Sequence, residues 1–454
     1  MASTKKRLVI IGGVAAGMSA AAKARRSNPD LDITVFEKGE WISYSACGLP
    51  YLVGGLVEGP DRLVARTVEQ FAQQGITVKL HHTVTEINPA RHTITVVDGA
   101  APDQPIEVPY DTLLVATGAR PRRPNVTGID LEGVFNLYVM TDALAMQEYI
   151  SKHQPRHAVI VGGGYIGLEM AENLAHLGLK IHVVQRPPQL FSHIDKEIAE
   201  EVAKELERNN VDLSLSDSVL ETCEGDHGRV SCAMTSQGRI QTDLLLLSTG
   251  IQPNVEVFAQ AGGKLGETGA IAVDEYMRTN LEGIYAAGDC TEHLHRLTGK
   301  ADWVPLGTTA NKQGRIAGEN VAGGEAAFKG ILGTAITRVF NLGVGMTGLN
   351  EAKAQATGFD YATAVIDSTD IAGYYPGAGP LRVKIIAERG TGRLLGGQVI
   401  GTGGVDKRTD VLATALHNEM NVEELSWLDL SYVPPYNSVW DPVHVAAQVV
   451  AKKV

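Results

Sequence analysis

Cysteine is scarce in this chain: four residues, at 47, 223, 232 and 290, among 454. They are too few and too scattered to make a disulfide framework. No Cys/His group has metal-ligand spacing, so no resident metal is expected. Both points suit a reducing cytoplasm. Positive charge is also in deficit. Forty Lys and Arg against 52 Asp and Glu leave a net charge of −12. That balance argues against non-specific binding to nucleic acid or a membrane surface, while leaving room for a local basic patch. No apolar run is long enough to span a bilayer. The start Lys5-Lys6-Arg7 followed by Leu8-Val9-Ile10-Ile11 looks like a signal peptide only until Gly12-Gly13 interrupts it.

Glycine, by contrast, is abundant, with 50 residues gathered in loops. The length suggests about three domains. Leu8–Ile11 reads as a buried strand, Val14–Arg26 as a helix and Ile33–Glu37 as a second strand. The same unit recurs about 150 residues later, with strands at Ala158–Val161 and Ile181–Val184 around a helix at Tyr165–Leu177. Strands alternating with helices imply parallel sheets covered on both faces. Residues 83–97 alternate like meander strands. Ala116-Thr117-Gly118 is echoed by Ser248-Thr249-Gly250, each closing an apolar run. Pro121–Pro124 and Pro253 mark crossings between domains. From about Lys329 the character changes to sheet strands at Arg382–Ile386 and Gly396–Ile400 and a helix at Thr409–His417.

Each β-α-β unit carries a dinucleotide loop. In the first, Gly12-Gly13-Val14-Ala15-Ala16-Gly17 follows the strand and opens the helix, and Glu37-Lys38 ends the next strand. Such glycines let the backbone approach a pyrophosphate, the helix N-terminus favours its charge, and the acid accepts from a ribose hydroxyl. Val14 stands in this loop at a position where the G-x-G-x-x-G consensus has glycine. In the second unit, Gly162-Gly163-Gly164-Tyr165-Ile166-Gly167 is a complete fingerprint. The position expected to hold its acid is Gln185, followed by Arg186. A missing carboxylate removes the repulsion against a 2′-phosphate, and Arg186 can pair with one, so the reading leans toward NADPH.

Late in the chain, Ile284-Tyr285-Ala286-Ala287-Gly288-Asp289 ends a strand in Gly-Asp, where a carboxylate can accept hydrogen bonds from a flavin's polyhydroxyl chain. With the two loops, the paired Thr-Gly turns and Gly250-x-x-Pro253-Asn254, the chain resembles the FAD-dependent pyridine nucleotide–disulfide oxidoreductases over essentially its whole length. The resemblance implies an α/β architecture of two Rossmann-like domains plus a C-terminal α+β dimerisation domain. It places FAD in residues 1–120 and 250–328, with Glu37 on its ribose and Asp289 on its ribityl chain. It places NAD(P)H in 121–249, and subunit pairing into a homodimer in 329–454.

Within that group, two-cysteine reductases carry C-x-x-x-x-C. Here Cys47 has Leu52 five residues on and Ser43 four residues before it. Ser43-x-x-x-Cys47 resembles the single-cysteine branch: NADH oxidases, NADH peroxidases, CoA-disulfide reductases and NAD(P)H persulfide reductases. The oxidases and peroxidases typically carry a histidine where this chain has Ala15. Cys47-Gly48-Leu49-Pro50-Tyr51 and Tyr432-Val433-Pro434-Pro435-Tyr436 resemble the CoA-disulfide and persulfide reductases. There a tyrosine from the second subunit reaches the active cysteine, and a phenol can donate to a leaving thiolate. Tyr374-Tyr375-Pro376-Gly377 resembles their second tyrosine element, and which phenol faces the site is not readable. Ser19, Lys23 and Arg26 share one helix face and, with Ser43, match CoA-contacting positions. Arg62 and Arg66 are further cationic candidates, and Ala46 stands where the family has asparagine. The family's larger members append a rhodanese domain, which a chain ending at Val454 is expected to lack.

The implied reaction is NAD(P)H-dependent reduction of CoA disulfide, or of a related persulfide or polysulfide, through a Cys47–S–S–CoA mixed disulfide. One alternative is an NAD(P)H oxidase cycling Cys47 through sulfenic acid. A more distant one is a protein-facing electron-transfer flavoprotein.

Overall fold

The computed structural model describes residues 5–454. Contacts divide it into two compact units: residues 5–122, Tyr138–Ala143 and Ile251–Ile331 form one, and Arg123–Leu137, Leu144–Gly250 and Leu332–Val454 the other.

The first unit is built on a five-stranded parallel sheet. Its spatial order is Ile284–Ala286, Thr112–Val115, Arg7–Ile11, Asp32–Phe36, Ile76–Lys79. The first strand runs Leu8, Val9, Ile10 and Ile11 fully buried, as a strand covered on both faces requires. The order reverses beside Arg7–Ile11, so the ends of that strand and of Thr112–Val115 open a crevice at the switch point. Helices Ala15–Ser27 and Gly307–Val321 pack through small residues. A Cβ on Gly314 would lie 2.3 Å from the Ala16 carbonyl oxygen, so only glycine lets the two backbones approach this closely. The expected meander is the antiparallel sheet His82–Asn88, Thr93–Asp98, Ala101–Pro109.

The second unit repeats the parallel sheet in the order Asp212–Leu215, Lys180–Gln185, His157–Val161, Leu244–Leu247, Val134–Phe135. A three-stranded antiparallel sheet, Val219–Glu224, Val230–Thr235, Gly238–Gln241, stands beside it. Two of the four cysteines, on the strand pair, are not free thiols here. Cys223 and Cys232 are joined as a disulfide. The strand register sets them directly opposite, with Cα atoms 5.0 Å apart. The sequence reads as a strand pair over these two cysteines, and the register then decides that they face each other.

The C-terminal part is a five-stranded antiparallel sheet: Ala335–Val339, Leu342–Gly348, Leu394–Gly401, Pro380–Glu388, Tyr361–Thr369. It carries helices Val405–His417 and Pro442–Ala451. Leu394–Gly401 is buried at every position. Lys384, fully buried, is ion-paired to Asp195 at 3.1 Å, to Glu197 at 3.0 Å and to Glu351. Gln398 bonds Asp195 twice, accepting from its amide at 2.8 Å and donating to Oδ2 at 2.7 Å. These contacts fix helix Lys196–Arg208 to the sheet. A buried cation is tolerable only with such partners. Among the described residues, no helix is long and apolar enough to cross a membrane.

Candidate active site

In the first unit the chain leaves Arg7–Ile11 through Gly12, whose φ of 103° lies in the left-handed region. A Cβ on Gly12 would stand 2.1 Å from the Ala116 carbonyl oxygen, and one on Gly17 would stand 1.9 Å from that of Gly12. Side chains are therefore excluded where the loop passes the Ala116-Thr117-Gly118 turn and enters the helix. Val14 is the N-cap residue, and no side chain caps the helix or places an acid in its first turn. The first-turn amides are thus left for an anion. Glu37 Oε2 accepts from the Gly13 amide at 2.7 Å and Oε1 from the Gly39 amide at 2.7 Å. Each oxygen keeps a lone pair for a ribose hydroxyl. Lys38, next to it, is exposed.

The Gly288-Asp289 turn follows Ile284–Ala286. Burial holds the Asp289 carboxyl above its usual range, opposed by a hydrogen bond from Tyr138, whose hydroxyl donates to Oδ2 at 3.3 Å. Trp303 Nε1 donates to the Asp289 carbonyl at 2.9 Å. Gln313 Oε1 accepts from the Gly288 amide at 2.9 Å. Tyr138, Trp303 and Gln313 are supports that sequence reading missed, since no motif marks them. Asn254 locks the neighbouring turn, donating to the Thr117 and Ala119 carbonyls at 2.8 and 3.0 Å. Cys290 is fully buried and burial pushes its thiol up to about 11, as packing requires. An uncapped helix start, an acid with spare lone pairs and a sequestered carboxyl beside one crevice fit FAD.

Ser43, four residues before Cys47, is bonded to the same loop. Its amide donates to the Gly13 carbonyl at 2.9 Å and its carbonyl accepts from Ala65 at 2.8 Å. Its φ of 47° is unusual for a residue other than glycine. Cys47 lies exposed in the 3₁₀ turn Ala46–Gly48, which runs into the short helix Leu49–Val53. A Cβ on Gly48 would meet Leu63 Cδ2 at 2.3 Å, so the turn is pressed onto residue 63. Beside it, burial pushes the Tyr44 phenol up to about 12.

The cationic candidates have other partners here. Ser19 donates to Asn311 at 2.6 Å, and Lys23 pairs with Glu319 at 2.5 Å, both on the packed helix Gly307–Val321. Arg26 is exposed. Arg62 pairs with Glu58 at 3.3 Å, and Arg66 lies 5.8 Å from the Phe71 ring centroid.

In the second unit the same loop geometry returns. Gly162 has a φ of 112°, and a Cβ there would lie 2.4 Å from the Ser248 carbonyl oxygen. A Cβ on Gly167 would lie 2.0 Å from the Gly162 oxygen. Gly164 is the N-cap residue of Tyr165–His176, whose first turn again holds no acid. Gln185 Oε1 accepts from the Gly163 amide at 2.9 Å, and its Nε2 donates to the Gln189 carbonyl at 3.0 Å. Arg186 is exposed at the strand's end. Tyr165, next to Ile166, lies edge-on to Phe191 with ring centroids 5.1 Å apart, and burial pushes its phenol up to about 12. Gly250, with φ 97°, ends the Ser248-Thr249-Gly250 turn.

Two of the three tyrosine candidates meet. Tyr374 is hydrogen-bonded to Tyr432, which raises the Tyr374 phenol above its ordinary value. Tyr375 is 40% exposed and enters no such pair. The two segments are joined by Arg408, which is fully buried. It donates to the Asp370 carbonyl at 2.9 Å, Asn437 Oδ1 at 3.0 Å and Asp441 Oδ1 at 3.3 Å. Around them Trp427, Tyr436, Val439 and Trp440 expose 73%, 75%, 69% and 49% of their surface, an apolar face of the kind that marks an interaction site.

The family profile described as pyridine nucleotide-disulphide oxidoreductase matches residues 6–314, and its dimerisation domain matches 334–442. The chain is 40% identical over 447 residues to the NAD(P)H coenzyme A polysulfide/persulfide reductase of Pyrococcus horikoshii, covering 98% of each. It is 34% identical over 450 residues to an NADH oxidase of Methanocaldococcus jannaschii, covering 99% of each. The structure of reduced CoADR-RHD from Bacillus anthracis superimposes with a TM-score of 0.95 at 35% identity, over 99% of this chain and 80% of that one.

Proposed function

From its membership of the pyridine nucleotide-disulphide oxidoreductases, we propose that this chain is an NAD(P)H-dependent reductase of CoA disulfide and related CoA persulfides or polysulfides. The observation that carries the reading is the exposed Cys47 thiol on a turn tied, through Ser43, to the Gly13 carbonyl at 2.9 Å. That tie, four residues before the thiol, supports a place for Cys47 near the loop that suits FAD. When bound, FAD takes a hydride equivalent from NAD(P)H and makes the electron pair available to sulfur.

The chain's residues do the rest. Residues 1–120 and 250–328 hold FAD, with Glu37 on a ribose and Asp289 on the polyhydroxyl chain. Residues 121–249 hold NAD(P)H at Gly162–Gly167, with Gln185 and Arg186 at its adenosine ribose. The Cys47 thiolate attacks a substrate sulfur, the S–S bond breaks, one thiolate leaves and a Cys47–S–S–CoA disulfide forms. Tyr432 of a second subunit, with Tyr374 behind it, donates the proton or hydrogen bond that the departing thiolate needs. Residues 329–454 pair the subunits through the aromatic face. The cations Lys23, Arg26, Arg62 and Arg66, with Ser19 and Ser43, receive the phosphates of CoA. That assignment requires Lys23 to exchange Glu319 for a phosphate. The enzyme works in the cytoplasm on small molecules.

The relative named NADH oxidase keeps a second reading in view, in which O₂ oxidises Cys47 to sulfenic acid. Ala15, where oxidases and peroxidases carry histidine, weighs against peroxide handling. One experiment separates the two. Purified protein is weighed intact, denatured, before and after dithiothreitol, and NAD(P)H turnover is followed without air. A dithiothreitol-labile adduct of CoA mass on Cys47, with turnover that depends on CoA disulfide or CoA persulfide, supports the reductase. A 16 Da adduct with turnover only in air refutes it.

A further inference from the structure

The disulfide Cys223–Cys232 takes no part in the chemistry proposed above. Its two sulfurs differ in access. Cys232 lies on the middle strand of its sheet and is fully buried, whereas Cys223 lies on the outer strand and is partly exposed. The hairpin they close grips the segment that leads into the second parallel sheet. The Thr222 amide donates to the Thr127 carbonyl at 2.8 Å, Glu132 to the Gly228 carbonyl at 3.2 Å, and Val230 to the Glu132 carbonyl at 2.8 Å. Thr222 adjoins Cys223. Residues 228 and 230 lie within the closed loop. A bond between the sulfurs therefore adds a covalent tie, on top of the backbone ladder they already share, between the two strands that hold residues 127–132.

We propose that Cys223 and Cys232 form a reversible redox site, oxidised by low-molecular-weight disulfides, whose state sets how firmly Thr127–Glu132 is held. The exchange balances as follows. The accessible Cys223 thiolate attacks one sulfur of a small disulfide; that S–S bond breaks and one small thiolate leaves. Cys232 then attacks the Cys223 sulfur and displaces the second small thiolate. The protons of the two cysteine thiols finish on the two small thiols. Two protein thiols are oxidised and one disulfide is reduced, with nothing left over. The choice of oxidant class rests on the proposed function, whereas the pairing of the two cysteines does not.

The test uses the flavin-bound Cys47→Ser protein, so that the active-site thiol consumes no reagent. The protein is reduced with dithiothreitol, desalted, and exposed in parallel to glutathione disulfide and to CoA disulfide. It is then alkylated and mapped by mass spectrometry. A cross-linked peptide 2 Da lighter, reopened by dithiothreitol in the folded protein, is expected, with amide exchange across Thr127–Glu132 at least severalfold slower when oxidised. Cys232→Ser is expected to retain a small-thiol adduct on Cys223. Both cysteines alkylated after either disulfide, a bond that resists dithiothreitol, or equal exchange in the two states overturns the proposal. Closure by glutathione disulfide, with Cys47-intact enzyme inert toward CoA substrates, sinks the functional reading and leaves this one standing.

Discussion

The Gly163 amide donates to Gln185 Oε1 at 2.9 Å, repeating in the second dinucleotide loop the contact that Gly13 makes with Glu37 Oε2 at 2.7 Å in the first. The duplication thus reaches the side chain that braces each glycine loop, and the two copies differ by one charge. Glu37 presents carboxyl oxygens with lone pairs beyond those taken by the Gly13 and Gly39 amides. Gln185 is neutral, and its amide nitrogen is spent on the Gln189 carbonyl at 3.0 Å. The Gln185 side chain brings no charge that repels a 2′-phosphate, and Arg186 follows at the exposed strand end.

NADPH is therefore expected to be preferred. Arg186→Ala should lower kcat/KM for NADPH by about ten- to a hundredfold, the scale of one charge-assisted hydrogen bond, and leave NADH within about twofold. Gln185→Glu keeps the bond from Gly163 and restores the carboxylate, so it should move the ratio toward NADH by about tenfold. Steady-state kinetics with both nucleotides check this; equal kcat/KM in the parent enzyme would refute it.

Cys47→Ser is expected to abolish sulfur turnover while sparing flavin reduction by NAD(P)H. Hydride transfer from NAD(P)H to the flavin needs no thiolate. Serine keeps the size of the side chain and removes the thiolate. Rapid mixing without air should show the flavin bleaching at an unchanged rate, with steady-state turnover of CoA disulfide reduced at least a thousandfold, to background, as loss of a nucleophile implies. Retention of turnover would make Cys47 dispensable and favour a protein-facing flavoprotein.

Tyr432→Phe should slow disulfide turnover by about a hundredfold, within the range of a lost general acid, and leave flavin reduction unchanged. Tyr374 bonds to Tyr432, so Tyr374→Phe is expected to cost less, about tenfold, as loss of an orienting hydrogen bond. Single and double variants form a cycle. Additive effects would show that the two phenols work apart.

The reach of the sequence follows from how local each feature is. The strands around Gly12 and Gly162 were legible because a buried parallel strand is an apolar run and its turn demands glycine. Asp289 was legible because Gly288 precedes it at a strand end. What braces Asp289 was not: Tyr138 and Gln313 come from remote positions and carry no pattern. Helical spacing put Ser19, Lys23 and Arg26 on one face. It could not reveal that the glycine stripe of Gly307–Val321 packs there, committing Ser19 to Asn311 and Lys23 to Glu319. Arg408 and Lys384 were invisible for the same reason, since each is defined by partners up to 189 residues away.

Glu169 gives the clearest dependence on pH. On helix Tyr165–His176 it is half-buried, and this desolvation lifts its carboxyl to about 7, opposed by the Thr337 hydrogen bond and aided by Glu172. Thr337 Oγ1 donates to Glu169 Oε1 at 3.0 Å. In the unfolded chain the group ionises near 4.5. Below 4.5 both states hold the proton and the contribution to stability is whole. Between 4.5 and 7 the unfolded chain releases its proton first, so stability falls with rising pH. The loss levels off above 7 at about 3 kcal/mol, from about 1.4 kcal/mol per unit. Glu169→Gln keeps the acceptor for Thr337 and removes the ionisation. It should therefore raise Tm at pH 8 while leaving it nearly unchanged at pH 4.5, and flatten the profile between. Thermal unfolding of both proteins across that range measures the difference, and parallel Tm curves would show that Glu169 is ionised at no cost in the folded protein.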